Sequence, residues 1–227
     1  MPLYLFPQVH SISILTAIIM RFEYASKEAD PSDIEAGEVY KRVAARRLPR
    51  PLIPLDLGLL HAPPVADGYN SFIGALRTKT VIPAALLELS ICRVGHLNGA
   101  VYEWNVHGPL AFKARLSIEQ LQGAATLPPF TNKQDRTHKA WESSLLTGVQ
   151  QAVLKYTDEV TMRVTDSDEV FREVRQALGS DRQVVELTAT IDGYNCVSRN
   201  LVALDIGEHS ASRMKSARRN WPLSVLW

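Results

Sequence analysis

The chain has 227 residues, of which 46% are hydrophobic and 22% are charged, the balance of an ordinary globular protein. Its formal net charge of +1 provides no strong field to recruit nucleic acid or an anionic membrane surface. The two cysteines, Cys92 and Cys196, lie far apart and form no CxxC pair, which argues against a disulfide framework and fits a reducing compartment. We therefore expect a cytoplasmic protein with neither nucleic acid nor a membrane as partner. The simplest role for both thiols is that of a small buried apolar side chain.

The first 20 residues contain no Lys, Arg, Asp or Glu. Their apolar run, Ile12–Met20, is shorter than the ~20 residues needed to cross a bilayer, and a secretory signal would need a positively charged start. We interpret residues 1–19 as an N-terminal extension or the product of a misplaced start codon. A signal or membrane anchor and a packed element of this particular protein are the alternatives.

The rest of the chain has the apolar spacing of helices, and no segment shows sustained alternation typical of strands. The first helix is predicted at Ser32, where Glu35 completes a capping box. The further predicted helices cover Leu55–His61, Val65–Lys79, the stretch after Pro83, Ala100–Phe112, a short segment after the Ser117–Gln120 capping box, Asp135–Arg163, Ser167–Leu178 and Val184–Leu204. Pro109 should kink or end its helix just after His107, and residues 123–136 should form a loop. The predicted class is all-α.

The segment Glu88–Ala111 includes Glu88, Cys92, Glu103 and His107, whose side chains are of types that do proton chemistry. Glu103 and His107 are four apart, which places both on one face of a helix. Glu88 and Cys92 have the same spacing on the preceding helix, and Asn98-Gly99 between the two helices allows the chain to fold back. This pattern predicts an antiparallel helix pair that carries the site.

The helix around Glu88 is apolar nearly all round, so we expect it to be buried. A buried carboxylate must be paired or protonated, and Arg93, five residues on, is off the face of Glu88. Glu103 and His107 have an alternative interpretation as a surface pair worth ~0.3–0.5 kcal/mol. Trp104 is either core or pocket wall.

Three more residues, His61, Tyr69 and Asn70, lie at the ends of predicted helices and either cap the local backbone or line the rim of a pocket. The six histidines are dispersed, with no pair at i, i+4, so we expect no metal and no cofactor.

Three stretches, Pro83–Val94, Asn98–Ala111 and Asp192–Ile206, resemble the carboxymuconolactone decarboxylase family, which includes the alkylhydroperoxidase D proteins. The likeness runs from about Met20 to about Ile206. It implies an alkylhydroperoxidase D-like helical bundle built around an antiparallel helix pair, as one domain over residues 20–207. Residues 208–227 would be a basic C-terminal tail. The resemblance also implies a homo-oligomer (dimer, trimer or hexamer) with pockets near subunit contacts.

In the alkylhydroperoxidase D branch the site reads CxxCxxxH and is preceded by a relay glutamate. His107 matches the histidine and Glu88 matches the relay glutamate, whereas Glu103 and Ala100 stand where the two cysteines belong. The acid/base half of the site is therefore present without the dithiol. Peroxide reduction through a disulfide needs two neighbouring sulfurs, so we do not expect a CxxC peroxidase.

Two carboxylates and an imidazole suit proton transfer next to a carbonyl group. We predict a cofactor-independent lyase or isomerase with His107 as general base, Glu103 as its partner or as proton donor, and Glu88 as a buried relay group. The resemblance implies a small organic acid, a lactone or a polyketide-type metabolite as substrate. Predicted substrate-binding residues are His61, Tyr69, Asn70, Cys92 and Trp104. A thiol-dependent peroxidase relative using Cys92 and a non-catalytic oligomeric scaffold are the alternatives.

Overall fold

The computed structural model describes residues 20–130, 136–207 and 214, without the side chains of residues 136–138. The predicted N-terminal extension and the predicted basic tail therefore lie outside the described residues, apart from Met214. The described part of the chain is all-helical, which confirms the predicted class. Its helices are α1 (Ile34–Arg47), α2 (Pro54–Leu59), α3 (Pro63–Thr78), α4 (Ala84–Leu97), α5 (Val101–Lys113), α6 (Ile118–Thr126), α7 (Arg136–Glu142), α8 (Gly148–Arg163), α9 (Asp168–Leu178) and α10 (Asp181–Leu204).

Helix α4 is the centre of the bundle, and it packs against α5, α6, α8 and α10. One face contributes Leu87, Ile91 and Val94 to an apolar cluster shared with α3, α8 and α10. The opposite face contributes Leu89 and Cys92 to a second cluster, in which residues of α5, α6, α7 and α8 take part. Both faces of α4 are thus covered, as its apolar composition predicted.

The turn between α4 and α5 brings the two helices side by side. Gly99 has φ of +68°, a left-handed conformation that glycine adopts without a steric penalty. The amide of Ala100 closes the turn on the carbonyl of Gly95 at 2.8 Å. The side chain of Asn98 then ties this turn to α10, because it donates to Asn195 at 2.9 Å and to Ser198 at 2.6 Å.

A buried ion pair links α4 to α8. Arg93 holds Asp158 through two hydrogen bonds of 2.6 and 2.7 Å, and neither side chain is more than 1% exposed. The same guanidinium donates to the carbonyls of Ala124 and Leu127, so its remaining donors are used to fix the end of α6. Arg93 is therefore a structural residue and is engaged away from Glu88.

Several predicted helix boundaries are corrected by the structure. The cap of α1 is Asp33 rather than Ser32, and its carboxylate accepts from the Ala36 amide at 2.9 Å. Of the two outcomes predicted at Pro109, the end of the helix is wrong, because α5 continues to Lys113. The long helix predicted over 135–163 is two helices, because Thr147 caps α8 in a capping box with Gln150. The capping box predicted at Ser117 is confirmed. The helix predicted over Ser167–Leu178 is also confirmed, with Ser167 as its cap.

Candidate active site

The centre of the candidate site is a hydrogen bond between α4 and α5. His107 Nδ1 lies 2.8 Å from Glu88 Oε2, and the two side chains are 11% and 5% exposed. These residues are nineteen positions apart in the chain, and the fold-back at Gly99 brings them together. The structure thus pairs the imidazole with the carboxylate of the neighbouring helix.

The second oxygen of Glu88 faces Arg77 of α3. Arg77 Nη2 lies 2.5 Å from Glu88 Oε1. Burial by itself would raise the pKa of Glu88, but the combined pull of His107 and Arg77 is stronger and holds that pKa below its ordinary value. Glu88 is therefore ionised at neutral pH. The sequence required a buried carboxylate here to be paired or protonated, and the structure shows it paired.

His107 is the group whose protonation state decides the chemistry. Burial lowers its pKa, and the attraction of the Glu88 carboxylate only partly offsets that effect. The imidazole is thus neutral at pH 7, and an ionised Glu88 can only accept a hydrogen bond, so Nδ1 carries the proton. This tautomer leaves Nε2 with a lone pair, which is the form of a general base.

Tyr194 of α10 closes the site from the other side. Its ring meets the His107 ring edge to face, with 5.0 Å between the centroids. Burial raises the pKa of Tyr194, and its hydroxyl lies within hydrogen-bonding range of the Arg77 guanidinium. Because a guanidinium only donates, the phenol oxygen is the acceptor in that contact.

Glu103 is 1% exposed and lies against Gly95 of α4. A methyl group built at Gly95 would stand only 3.2 Å from Glu103 Oε1. The sequence offered Glu103 as the partner of His107 or as a proton donor. The Nδ1 hydrogen bond of His107 goes to Glu88, so the orienting role falls to Glu88, and the proton-donor role of Glu103 stays a prediction.

The predicted substrate-binding residues are distributed over different environments. The hydroxyl of Tyr69 is buried, and its pKa is raised by burial first and then by Tyr194 and Glu103. Asn70 accepts a hydrogen bond from Arg46. His61 is exposed, and its Nε2 bonds the Glu23 carbonyl at 2.8 Å.

The other two, Cys92 and Trp104, are fully or almost fully buried in the second apolar cluster. Burial raises the pKa of the Cys92 thiol well above its usual range, and the nearby carboxylates of Glu88 and Glu103 raise it further. A buried thiol with this pKa is protonated at neutral pH, and the thiolate is the reactive form. Cys92 is therefore placed as a core residue.

The sequence did not single out the cations of the site. Besides Arg77, these include Arg47, which holds the buried carboxylate of Asp56 through two hydrogen bonds of 2.7 Å. Arg46 lies 3.9 Å from the same carboxylate. The sequence held one signal for these cations, because a buried carboxylate such as Glu88 needs a positively charged partner. That requirement predicts a cation but does not say which helix supplies it.

Within the described ranges, no group of three or more His, Cys, Asp and Glu side chains is arranged to hold a metal ion. No helix in the same ranges combines the length and apolar composition required to cross a membrane.

Comparison with known proteins identifies the fold. Neither a family model nor a curated protein sequence matches the chain. Among solved structures, the AhpD core of an uncharacterised peroxidase-related protein from Ralstonia eutropha JMP134 is similar, with a TM-score of 0.65 and 14% identity over 83% of this chain and 91% of that one. The debrominase Bmp8, in complex with 2,3,4-tribromopyrrole, is similar with a TM-score of 0.55 and 15% identity, over 87% of this chain and 95% of that one. The Arg77–Glu88–His107 arrangement is thus carried on an alkylhydroperoxidase D-like helical fold.

Proposed function

We propose that this protein is a cofactor-independent acid/base enzyme that transfers a proton next to a carbonyl group of a small metabolite. The observation that supports the proposal best is the hydrogen bond of 2.8 Å between Glu88 and His107, buried between two helices. An ionised carboxylate in such a position is costly, and perturbed groups of this kind concentrate at functional sites.

In the proposed mechanism, His107 is the general base. Its neutral Nε2 takes a proton from a carbon next to a carbonyl group of the substrate, and the electron pair of the broken C–H bond moves toward the carbonyl oxygen. The imidazolium that forms is stabilised by the ionised Glu88, which also fixes the tautomer before the reaction. Arg77 keeps Glu88 ionised, and return of the proton to a different atom completes an isomerisation, a dehydration or the final step of a decarboxylation.

Glu103 is the second proton-transfer group in this proposal. It is buried beside the site and influences the pKa of Tyr69 and of Tyr194. Its proposed role is to deliver a proton to the substrate or to the leaving group. General acid–base assistance of this kind is worth ~10²–10⁴-fold in rate.

The proposed substrate is a small organic acid, lactone or polyketide-type metabolite. The complex of the debrominase with 2,3,4-tribromopyrrole supports a small ring-sized ligand on this fold. We further propose that the chain works as a cytoplasmic homo-oligomer (a dimer, trimer or hexamer), which light scattering after size-exclusion chromatography would measure.

The alternative that uses Cys92 as a peroxidatic thiol has less support. The side chain is 0% exposed, and burial raises its pKa. A non-catalytic scaffold would have no need for a solvent-accessible His107. The His107 side chain is 11% exposed, which gives the scaffold alternative less support.

The test is metabolite profiling of cells with the gene intact, deleted, or replaced by a His107→Gln version. We expect the same carboxylated or unrearranged intermediate to accumulate in the deletion and in the variant. His96→Gln is the matched control, because it removes an imidazole of α4 that is not among the proposed site residues, and it should restore the intact profile. Full restoration by His107→Gln would refute the acid/base proposal.

A further inference from the structure

One face of α10 stays on the surface along most of the helix. The buried residues of α10 include a series from Val184 to Leu201 at intervals of three or four. A second series with the same intervals lies on the outside, within about 40° of one line along the helix. Its members, called here the outer face of α10, are Val185, Ala189, Asp192, Cys196, Arg199 and Ala203, all exposed except the partly exposed Ala189. Such intervals are typical of a helix that packs along a second helix.

The outer face carries two charges that are not balanced within the chain. Among the described residues, Asp192 has no cation and Arg199 has no carboxylate at ion-pairing distance. Arg199 donates from Nη1 to the side-chain oxygen of Asn195 at 2.7 Å, which is a neutral partner. Elsewhere on the same helix, Arg182 and Glu186 pair with each other at 2.9 Å. The outer face is therefore the part of α10 where an acidic and a basic group stand apart.

The order of these two charges makes the outer face complementary to a second copy of itself. Asp192 and Arg199 are seven residues apart, which is about 10 Å along the helix axis. The midpoint between them lies beside Cys196. A two-fold axis at that midpoint places a second α10 antiparallel to the first, with Asp192 of each copy opposite Arg199 of the other. A parallel arrangement in register would bring like charges together.

A groove beside the outer face offers further contacts to such a partner. It has a volume of about 600 Å³ and lies between α10 and the end of α8, and its lining includes Val164, Cys196 and Arg199. Val164 caps α8 with φ of +63°, and this residue is 89% exposed. A left-handed conformation is strained for a β-branched residue, and a side chain so exposed gains little from burial within one chain. Contact with a second copy would bury it.

We propose that the outer face of α10 is a two-fold interface between two copies of this chain. Asp192 and Arg199 form reciprocal ion pairs across it, and Cys196 lies beside the axis. This inference rests on the homo-oligomer of the proposed function and selects among its sizes. A two-fold interface builds a dimer, or a hexamer made of three dimers, whereas a simple trimer contains no two-fold contact.

The first experiment exchanges the charges in the full-length protein and measures mass and dissociation by sedimentation over a dilution series. Asp192→Lys and Arg199→Glu should each weaken the contact between copies at least about tenfold, because each substitution acts twice in a two-fold interface. The double variant restores opposite charges and should recover most of the affinity. Arg172→Glu on α9 is the matched control, since it reverses an exposed charge outside the outer face and should change nothing.

The thiol of Cys196 provides a second readout. Packed helices have axes about 8–10 Å apart, which brings facing Cα atoms within reach of a disulfide. Diamide accepts the two electrons and two protons that two thiols release, so it should link two chains through Cys196. The linked product should be absent in Cys196→Ser and form more slowly in Asp192→Lys, which separates contact from random collision. In the monomer Cys196 is open to a thiol reagent, so dilution should speed its modification.

A protein that is monomeric at every concentration would overturn the interface together with the homo-oligomer. Three other results would overturn the interface alone. They are a trimer, a double variant that dissociates as readily as the single variants, and the absence of a product linked through Cys196. These readouts measure assembly. They are therefore independent of whether His107→Gln restores the metabolite profile.

Discussion

Glu88 and His107 meet across the α4–α5 turn through a hydrogen bond of 2.8 Å, and Arg77 occupies the other oxygen of the same carboxylate. The three residues come from three helices, so their contact depends on how α3, α4 and α5 pack. The buried carboxylate is ionised because two partners hold it, and the imidazole is neutral because it is buried. This combination of an ionised acceptor and a neutral imidazole is the one that a histidine base requires.

Glu88→Gln should lower both activity and stability. The substitution keeps the shape of the side chain but removes the charge that balances Arg77, which is 24% exposed. We expect the free energy of unfolding to fall by about 2–3 kcal/mol, less than the ~3–5 kcal/mol for breaking a fully buried pair. Activity should fall by about 10²-fold, because the tautomer of His107 is no longer fixed.

Urea denaturation measures the change in stability. Glu38→Gln is the matched control, because that carboxylate is on the surface and pairs only with the exposed Lys41. Its denaturation midpoint should equal that of the wild-type protein. An equal midpoint for Glu88→Gln would mean that the Arg77–Glu88–His107 contact contributes nothing to the fold.

The stability of the protein should decrease with acidification in two steps. The pKa of His107 in the folded state lies below its ordinary value of 6.5, so the unfolded chain binds more protons as the pH falls below 6.5. The pKa of Glu88 lies below its ordinary value of 4.5, which adds a second loss of stability under pH 4.5. Both contributions are fully present above pH 6.5.

His107→Gln isolates the first step. The difference in unfolding free energy between wild type and variant should be constant above pH 6.5 and change below it. The pKa of His96 is also lowered by burial, so the difference curve for His96→Gln should change below pH 6.5 as well, and the two curves together separate the contributions of the two histidines. A difference curve for His107→Gln that is flat down to pH 5 would contradict the lowered pKa. If His107 is the base, activity should also persist below pH 6.5.

Much of the fold was predictable because its signals are local. The capping boxes at Ser117 and the cap at Ser167 each depend on residues within one turn. The missed break at Thr147 also had a local signal, a capping box with Gln150, but the apolar spacing across it suggested one long helix. The predicted end of α5 at Pro109 was wrong for a different reason. Helix α5 is held along its length by packing against α4, and this packing outweighs the one backbone hydrogen bond that proline removes.

The candidate site was predictable only in part. The helix pair and the residues Glu88 and His107 followed from spacing and resemblance, and the structure brings these two together. Arg77 and Tyr194 could not be found in the same way, because they arrive from α3 and α10. Their proximity to His107 is a property of tertiary packing, and no spacing within one helix encodes it.

Cys92 should be inert in the folded protein. The side chain is fully buried and burial raises its pKa, whereas Cys196 is exposed. We expect a thiol reagent to modify Cys196 readily and to reach Cys92 only after unfolding. Cys92→Ala should cost about 1–2 kcal/mol of stability through the small cavity it leaves and should retain activity. Loss of activity in Cys92→Ala but not in Cys196→Ala would revive the thiol-dependent alternative.

Gly95→Ala tests the role of Glu103 without altering its charge. The added methyl group would stand 3.2 Å from Glu103 Oε1 and 3.3 Å from its Cγ, so the carboxylate must move by a few tenths of an ångström. The crowding should cost about 1–3 kcal/mol, which the ~1 kcal/mol gained by replacing a helical glycine only partly offsets. If Glu103 delivers a proton, turnover of the accumulated intermediate should fall by about tenfold, because proton transfer depends steeply on position.

Gly68→Ala is the control for this last prediction. It is also a helical glycine, in α3, and a methyl group there would meet nothing within 4 Å. That variant should be more stable than wild type by about 0.5–1 kcal/mol and equally active. Comparison of Gly95→Ala with Glu103→Gln then separates position from charge. If both variants turn over the intermediate at the wild-type rate, Glu103 is a structural residue. Proton delivery must then be assigned to another group of the site, and the phenol of Tyr194, whose ring contacts His107, is the candidate.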